Sequence, residues 1–250
     1  MRFALALWRL LRGLELLLQG ILICAFVFPF LGPAQRLVQV GRWSARMLRA
    51  LGISLHSGGM PRADATLIVA NHVSWLDILA INALRPARFV SKADVRAWPV
   101  LGWLIACGGT LFIERERKRD ALRVVHQVAQ ALRDGQTVAV FPEGTTSDGT
   151  GLLPFHANLL QAAISTQTPV QAVALRFGDA TQRFSPAAPY VGDTPLAQSL
   201  WWVVMARGLQ AHVSWLAPDP GVDTERRVLS ERLRSQILQA LNVTELPRGA

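Results

Sequence analysis

The sequence contains a histidine and an aspartate at a spacing suited to general-base catalysis. His72 follows an apolar run that predicts a strand, and Asp77 lies five positions later, in the first turn of a predicted helix. A carboxylate that accepts one ring N–H leaves the other ring nitrogen free to take a proton from an alcohol, so no protein nucleophile is needed. Taken alone, the pair fits a buried structural histidine beside an unrelated aspartate better than it fits a catalytic pair.

Two other segments place polar groups at the ends of predicted strands. Residues 141–147 (FPEGTTS) follow one strand, and such a turn of proline, glycine and hydroxyl residues exposes backbone N–H groups to an anionic ligand. Residues 109–115 end another strand with Arg115. This arginine either binds a phosphate through both of its terminal nitrogens or pairs with a neighbouring acidic residue.

The elements that must position these residues alternate between β-branched runs and helical patterns, which is typical of an α/β domain. We expect strands over residues 66–70, 88–91, 110–113, 137–141, 170–176 and 212–216. We expect helices over residues 73–84, 95–106, 118–133 and 155–166, and a C-terminal amphipathic helix with Leu229, Leu233, Ile237 and Leu241 on its buried face. Residues 178–195 are rich in glycine, proline and small polar residues, which predicts a long surface connection.

Composition narrows the possible classes. Of 250 residues, 51% are hydrophobic and 17% are charged, which excludes a disordered chain and requires a large core or a lipid contact. The net charge of +9 is carried almost entirely by arginine and suits phosphate-rich partners. The two cysteines suggest a reducing location, and the histidines other than His72 have no ligand-spaced neighbours, so we expect no metal.

The N-terminal region has the pattern of a membrane-associated segment. Residues 16–31 are mostly apolar, which is at the short end for a spanning helix, so an in-plane or re-entrant segment is the alternative. A cleaved signal peptide is the main alternative. The next helix is amphipathic, with Val40, Trp43, Met47 and Leu51 on one side and Arg42, Arg46 and Arg49 on the other. We therefore divide the chain into a membrane-associated helical segment, 1–58, and a catalytic domain, 59–250.

Taken together, these motifs resemble the glycerolipid acyltransferases that carry a His-x4-Asp motif. The pair His72 and Asp77, the stretch 109–115, and Phe141-Pro142-Glu143-Gly144-Thr145 occur in that family's order and at about its spacing. Residues 89–92 and Pro99, Gly102 and Trp103 also match the family's linker between its first two motifs. The resemblance covers residues 65–176 and is to the bacterial 1-acyl-glycerol-3-phosphate acyltransferases.

The resemblance implies a fold, a reaction and a set of roles. The fold is α/β, with a mixed central sheet flanked by helices. The reaction moves a fatty acyl group from acyl-CoA or acyl carrier protein to the free hydroxyl of a lysolipid, with no cofactor and no metal. His72 is the implied general base and Asp77 orients it, whereas Arg115, Glu143, Gly144 and Thr145 contact the acceptor. The expected location is the cytoplasmic face of the inner membrane, with membrane lipids and no nucleic acid as partners.

Two positions depart from the family pattern and keep a second acceptor open. Thr146 stands where the family commonly has arginine. In residues 168–173 (TPVQAV), which correspond to the family's fourth motif, Ala172 replaces the second proline. The loss of one cation favours a headgroup without phosphate, as in a lyso-ornithine lipid, whereas Arg115 favours phosphate. The first expectation is 1-acyl-glycerol-3-phosphate. A non-catalytic basic protein that binds a membrane surface or nucleic acid is the alternative of another class.

Overall fold

The chain forms a central sheet with helices on both faces. The structure, a computed structural model, describes residues 2–113, 118–221 and 224–246. The helices are α1 (Arg2–Leu22), α2 (Pro33–Ala50), α3 (Leu76–Leu84), α4 (Leu101–Cys107), α5 (Lys118–Arg133), α6 (Leu160–Thr166), α7 (Leu196–Met205) and α8 (Arg226–Leu241). The strands are β1 (Ser54–Gly58), β2 (Leu67–Ala70), β3 (Arg88–Lys92), β4 (Leu111–Ile113), β5 (Val138–Val140), β6 (Gly151–Leu152), β7 (Val170–Gly178), β8 (Gln210–Asp219) and β9 (Thr244–Glu245).

Seven strands form the main sheet, in the order β1-β8-β7-β2-β5-β3-β4. Strands β7 and β8 are antiparallel, and every other neighbouring pair is parallel. The predicted mixed α/β fold is therefore confirmed. Since β2, β5, β3 and β4 all run in one direction, their carboxyl ends lie at the same edge of the sheet.

Alternating side chains of the central strands enter two separate cores. From β2, Ile68 and Ala70 pack with α1, α2, α3 and α7, whereas Leu67 and Val69 pack with α5, α6 and α8. Because both faces are covered, β2 and β5 consist entirely of buried apolar residues. The four apolar residues predicted for the C-terminal helix all lie in the second core, so that prediction is confirmed.

The six predicted strands are all present, but several predicted helices have different limits. The helix predicted over 73–84 begins only at Leu76, because residues 72–75 form a turn. The helix predicted over 95–106 is divided into a 3₁₀ segment, Ala93–Ala97, and α4, with Pro99 between them. The region 155–166 likewise begins with a 3₁₀ turn before α6. The connection over residues 179–195 has no regular structure, as predicted.

The N-terminal region is a helical hairpin. Helix α1 continues through a π-helical turn and a 3₁₀ turn to Phe30, and Arg2–Phe30 is long and apolar enough, by length and composition, to cross a membrane. Most of its large apolar side chains are exposed. The Trp43 indole of α2 packs at Gly20 and donates to the Leu16 carbonyl oxygen over 2.8 Å. This contact holds the two helices together.

The hairpin is also packed against the rest of the chain. The Arg9 guanidinium donates to the carbonyl oxygens of Val204 (2.7 Å) and Ala206 (2.9 Å) at the end of α7, where helix carbonyls lack helical partners. Helix α2 buries Met47 and Leu48 in the same core as α3. Strand β1 lies within the predicted N-terminal segment, 1–58, and pairs with β8 of the predicted catalytic domain. The division of the chain at residue 58 stays a prediction.

The close crossing of α2 and α3 generates a stability prediction. A Cβ added at Gly41 would lie 2.7 Å from Pro86 Cγ and 3.0 Å from the Asn82 carbonyl oxygen, whereas one at Gly13 of α1 would meet Leu51 at an ordinary 3.5 Å. We expect Gly41→Ala to lower the free energy of unfolding by about 1–3 kcal/mol through overpacking. Gly13→Ala, the matched control, should raise it by up to about 1 kcal/mol through helix propensity. Chemical unfolding of both variants in one detergent measures the difference, and equal effects would contradict the crossing.

Candidate active site

The predicted histidine and aspartate meet at the carboxyl end of β2. His72 Nδ1 lies 2.7 Å from Asp77 Oδ2, and the Asp77 side chain is fully buried, while the His72 side chain is 20% exposed. A carboxylate on Nδ1 fixes that nitrogen as the donor, which leaves Nε2 as the acceptor. Within the described part of the chain, Nε2 has no hydrogen-bond partner. The pair therefore presents a free basic nitrogen at the sheet edge.

One oxygen of Asp77 organises the whole turn before α3. Oδ2 accepts the backbone N–H groups of Val73 (2.7 Å) and Ser74 (2.9 Å) as well as the His72 ring. The turn itself is joined to the sheet by Asn71, whose side chain bonds both backbone groups of Leu175 in β7 (2.9 and 2.7 Å). The spacing of five residues is thus what lets the aspartate reach back over the turn.

The face of the His72 ring is fixed by an aromatic platform that the sequence motifs did not reveal. Phe141, at the end of β5, stacks on His72 with ring centroids 4.0 Å apart and planes inclined by 7°. Phe89 of β3 follows at 5.8 Å from Phe141. Because the edge of the imidazole is held by Asp77 and its face by Phe141, the ring has little freedom to turn. The aromatic residue before Pro142 was the available signal.

Glu143 is buried and uses both carboxylate oxygens on backbone donors. Oε1 accepts the His72 N–H (2.6 Å), and Oε2 accepts the Leu153 N–H (3.0 Å). Burial raises the Glu143 pKa to about 7; the two backbone hydrogen bonds and the charge of Arg234 act in the opposite direction, and Asp77 adds to the rise. Glu143 therefore joins the loop after β5 to the turn that carries His72. Its predicted contact with the acceptor stays a prediction.

The remainder of the 141–147 motif forms the turn that brings this loop to His72. The Gly144 N–H donates to the Phe141 carbonyl oxygen (3.1 Å), and Gly144 has φ of 77°, which favours glycine. Thr145 is exposed beside it. The Ser147 N–H donates to the His72 carbonyl oxygen (2.8 Å), so the turn also binds the backbone of His72.

Five of the six predicted site residues therefore lie together: His72, Asp77, Glu143, Gly144 and Thr145. Arg115 lies outside the described residues, and its role stays a prediction. Within residues 2–113, 118–221 and 224–246 no group of three or more His, Cys, Asp or Glu side chains could hold a metal ion.

Ser74, which lies between His72 and Asp77, is arranged neither as a nucleophile nor as a side-chain helix cap. Its side chain is fully buried, and its hydroxyl has no hydrogen-bond partner among the described residues. The main-chain groups of Ser74 form hydrogen bonds instead: its N–H donates to Asp77 Oδ2, and its carbonyl oxygen accepts the Asp77 N–H. The Asp77 N–H, which a side-chain cap at Ser74 could have accepted, is thus bonded to the Ser74 main chain instead.

The fold and this site fit an acyltransferase, and comparison with known proteins shows that class. A family model described as Acyltransferase matches residues 55–176. The chain is 38% identical to the 1-acyl-sn-glycerol-3-phosphate acyltransferase of Neisseria meningitidis serogroup B over 80% of this chain and 78% of that one. It is 36% identical to the lyso-ornithine lipid O-acyltransferase of Pseudomonas aeruginosa over 82% and 79% of the respective chains.

A solved structure agrees in fold. The crystal structure of the 1-acyl-sn-glycerophosphate acyltransferase of Thermotoga maritima superposes with a TM-score of 0.63 at 21% identity, covering 94% of this chain and 96% of that one. The chain belongs to the 1-acyl-sn-glycerol-3-phosphate acyltransferase family and is an acyltransferase. The resemblance drawn from the sequence motifs is thereby confirmed.

The geometry predicts a large effect of removing the base. We expect His72→Ala to lower the turnover number by about 10²–10⁴ and to leave the fold intact, because a general base contributes about that much. Asp77→Asn should act in the same way through loss of ring orientation. Initial rates of thiol release with purified protein measure both effects.

The matched control is His126→Ala, which removes an exposed histidine of α5. It should keep wild-type turnover. A His72→Ala variant that retained more than about a tenth of wild-type turnover would contradict the role of His72, since that loss lies below the range for a general base.

Proposed function

We propose that the protein transfers a fatty acyl group from a thioester donor, acyl-CoA or acyl carrier protein, to the free hydroxyl of a lysolipid. The observation that carries this proposal is the buried Asp77 carboxylate on His72 Nδ1, with Nε2 free and the ring partly exposed. This arrangement suits proton removal from an alcohol. Metal and protein-bound acyl intermediates are not part of the proposed reaction.

The proposed reaction needs only one base. His72 Nε2 takes the proton of the lysolipid hydroxyl as its oxygen forms a bond to the thioester carbonyl carbon. The carbon–sulfur bond then breaks, and the leaving thiolate receives the proton from His72. Because the thioester is already activated, alignment of the two substrates and removal of this proton supply most of what the reaction requires.

The proposed acceptor is 1-acyl-glycerol-3-phosphate, which would make the product phosphatidic acid. Similarity to relatives named for this acceptor supports it, as does Arg115 within the matched motif. Lyso-ornithine lipid is the second candidate, because relatives of that name are nearly as similar and Thr146 replaces the usual arginine. The Thr146 hydroxyl donates to the Tyr190 carbonyl oxygen, so this side chain is already engaged within the protein.

We further propose that the hairpin attaches the enzyme to the cytoplasmic face of the inner membrane. The apolar side chains of Arg2–Phe30 are largely exposed, with Phe30 itself 85% exposed. On α2, Arg42, Arg46 and Arg49 are exposed and border a surface cavity of about 420 Å³ beside Trp43. Apolar side chains next to arginines match an interface of acyl chains and anionic headgroups.

Side-by-side kinetics distinguish the two acceptors. If the acceptor is lysophosphatidate, Arg115→Ala should raise its KM with little change in kcat, because headgroup binding is made in ground and transition states alike. Thr146→Arg should improve use of this acceptor through an added charge-assisted donor. The measurement is kcat and KM of wild type and both variants on lysophosphatidate and on lyso-ornithine lipid.

The matched control for Arg115→Ala is Arg123→Ala, an exposed arginine of α5 outside the motif. It should leave both constants unchanged. A wild-type preference for lyso-ornithine lipid, with Arg115→Ala indifferent to phosphate, would overturn the first acceptor and leave the acyl-transfer chemistry intact.

Vesicle binding tests the attachment. We expect replacement of Arg42, Arg46 and Arg49 by glutamine to weaken binding to anionic vesicles about 100-fold, at about 1 kcal/mol for each charge, and to leave binding to neutral vesicles unchanged. Phe30→Ser, the apolar control, should weaken binding to both kinds of vesicle. Equal effects of the arginine variant on anionic and neutral vesicles would contradict the electrostatic contact.

A further inference from the structure

A buried arginine of the C-terminal helix is bonded to the segment that lies behind the active site. Arg234 of α8 is 6% exposed, and its guanidinium donates to the carbonyl oxygens of Leu152 (3.3 Å) and Leu153 (3.2 Å). It also forms an ion pair with Glu245 of β9 at 2.8 Å. Strand β9 itself pairs with β6, and the Leu246 N–H donates to the Leu152 carbonyl oxygen at 3.0 Å. Helix α8 and β9 thus hold this short segment from one side.

The other side of the same segment is bonded to Glu143. The Leu153 N–H donates to Glu143 Oε2 at 3.0 Å, and Glu143 Oε1 accepts the His72 N–H at 2.6 Å. Four groups therefore form a continuous chain of contacts from Arg234, through Leu153 and Glu143, to the backbone of the catalytic histidine. Arg234 lies beyond residues 55–176, which the family model matches.

The charge of Arg234 affects which form of Glu143 is present. An ionised Glu143 carboxylate accepts hydrogen bonds from both backbone N–H groups. When the carboxyl is protonated, one of its oxygens carries a hydrogen, which faces one of these N–H groups and weakens that hydrogen bond. The groups whose charges act on Glu143 are Asp77, which raises its pKa, and Arg234, which lowers it; the neighbouring catalytic ring of His72 is positive when protonated. Burial has already raised the Glu143 pKa to about 7. A modest change in the electrostatic field at Glu143 therefore alters the charge of its carboxyl group at neutral pH.

We propose that Arg234 is a positioning residue of the active site, which favours the ionised form of Glu143 and, through Leu153 and Glu143, fixes the backbone of His72. Arg234 takes no part in the chemistry and does not contact His72. The proposal rests on the proposed function, because the backbone it fixes is that of the catalytic base. It predicts that the C-terminal helix sets the pH range in which the site is assembled.

The test is an infrared titration of the Glu143 carboxyl in the full-length protein, with the band assigned by its absence in Glu143→Gln. We expect Arg234→Met to raise the titration midpoint by several tenths of a pH unit to about one unit, because a favourable positive charge is lost. The acid limb of kcat/KM should move upward with it. Arg232→Met is the matched control, since Arg232 lies on the same helix, is 49% exposed and pairs instead with Asp219. It should leave the midpoint unchanged.

Two more variants separate charge from packing. Arg234→Lys keeps the charge and should keep the wild-type midpoint, while its kcat falls because the two carbonyl contacts are not reproduced. Glu245→Gln removes the nearer of two exposed counter-charges of Arg234 and leaves Glu231 at 3.9 Å, so the midpoint should stay the same or fall slightly. The kcat of Arg234→Lys and the direction of the midpoint in Glu245→Gln test the proposal even where Arg234→Met does not fold, as judged by its thermal melt.

The contradicting outcomes are distinct. An unchanged midpoint in folded Arg234→Met, or a raised midpoint in Glu245→Gln, would overturn the proposal. A loss of rate in Arg234→Met that is the same at every pH would show a purely structural arginine and would also overturn it. Failure of the wild-type protein to acylate any lysolipid would instead reject the proposed function, which the infrared titration does not measure.

Discussion

A single carboxylate oxygen, Asp77 Oδ2, is the constraint on which the site depends. It accepts three hydrogen bonds, from the His72 ring and from the backbone of Val73 and Ser74, in a place that water does not reach. A buried carboxylate without such donors would be strongly disfavoured, so the turn and the charge stabilise each other. Helix α3 begins where this turn ends. The position of the base and the start of the helix are therefore consequences of the same interaction.

The two buried carboxylates of the site have different environments and correspondingly different tasks. Asp77 gathers three donors on one oxygen and orients a side chain, whereas Glu143 spreads its two oxygens over two loops and orients a backbone. His72 is thus held through its N–H by Glu143, through its carbonyl oxygen by Ser147, and through its ring by Asp77 and Phe141. A rigid base of this kind loses little free energy to reorientation in the reaction.

Features of the fold and the site could be predicted from the sequence where they depend on residues close together in the chain. The buried strands β2 and β5 are recognisable because burial on both faces demands continuous apolar runs, and His72 and Asp77 are recognisable because they interact within one turn. Strand β1 was missed since it is polar and mostly exposed at the sheet edge. The backbone contacts of Glu143 and the position of Arg234 were not predictable, because the contacts join segments 71 and 81 residues apart that only the fold brings together.

One short helix, α3, both carries Asp77 and packs against α2 of the N-terminal hairpin. Helix α3 has nine residues, so it is about 13 Å long, and Asp77 lies in its first turn while α2 crosses its far end, where Gly41 meets Asn82 and Pro86. Such a helix cannot bend appreciably over this length, so a displacement of α2 relative to the sheet would displace the aspartate too. The packing of α2 on α3 therefore joins the N-terminal hairpin to the helix that carries Asp77. The predicted membrane segment and the predicted base are thus connected through one packed element and not only through the intervening chain.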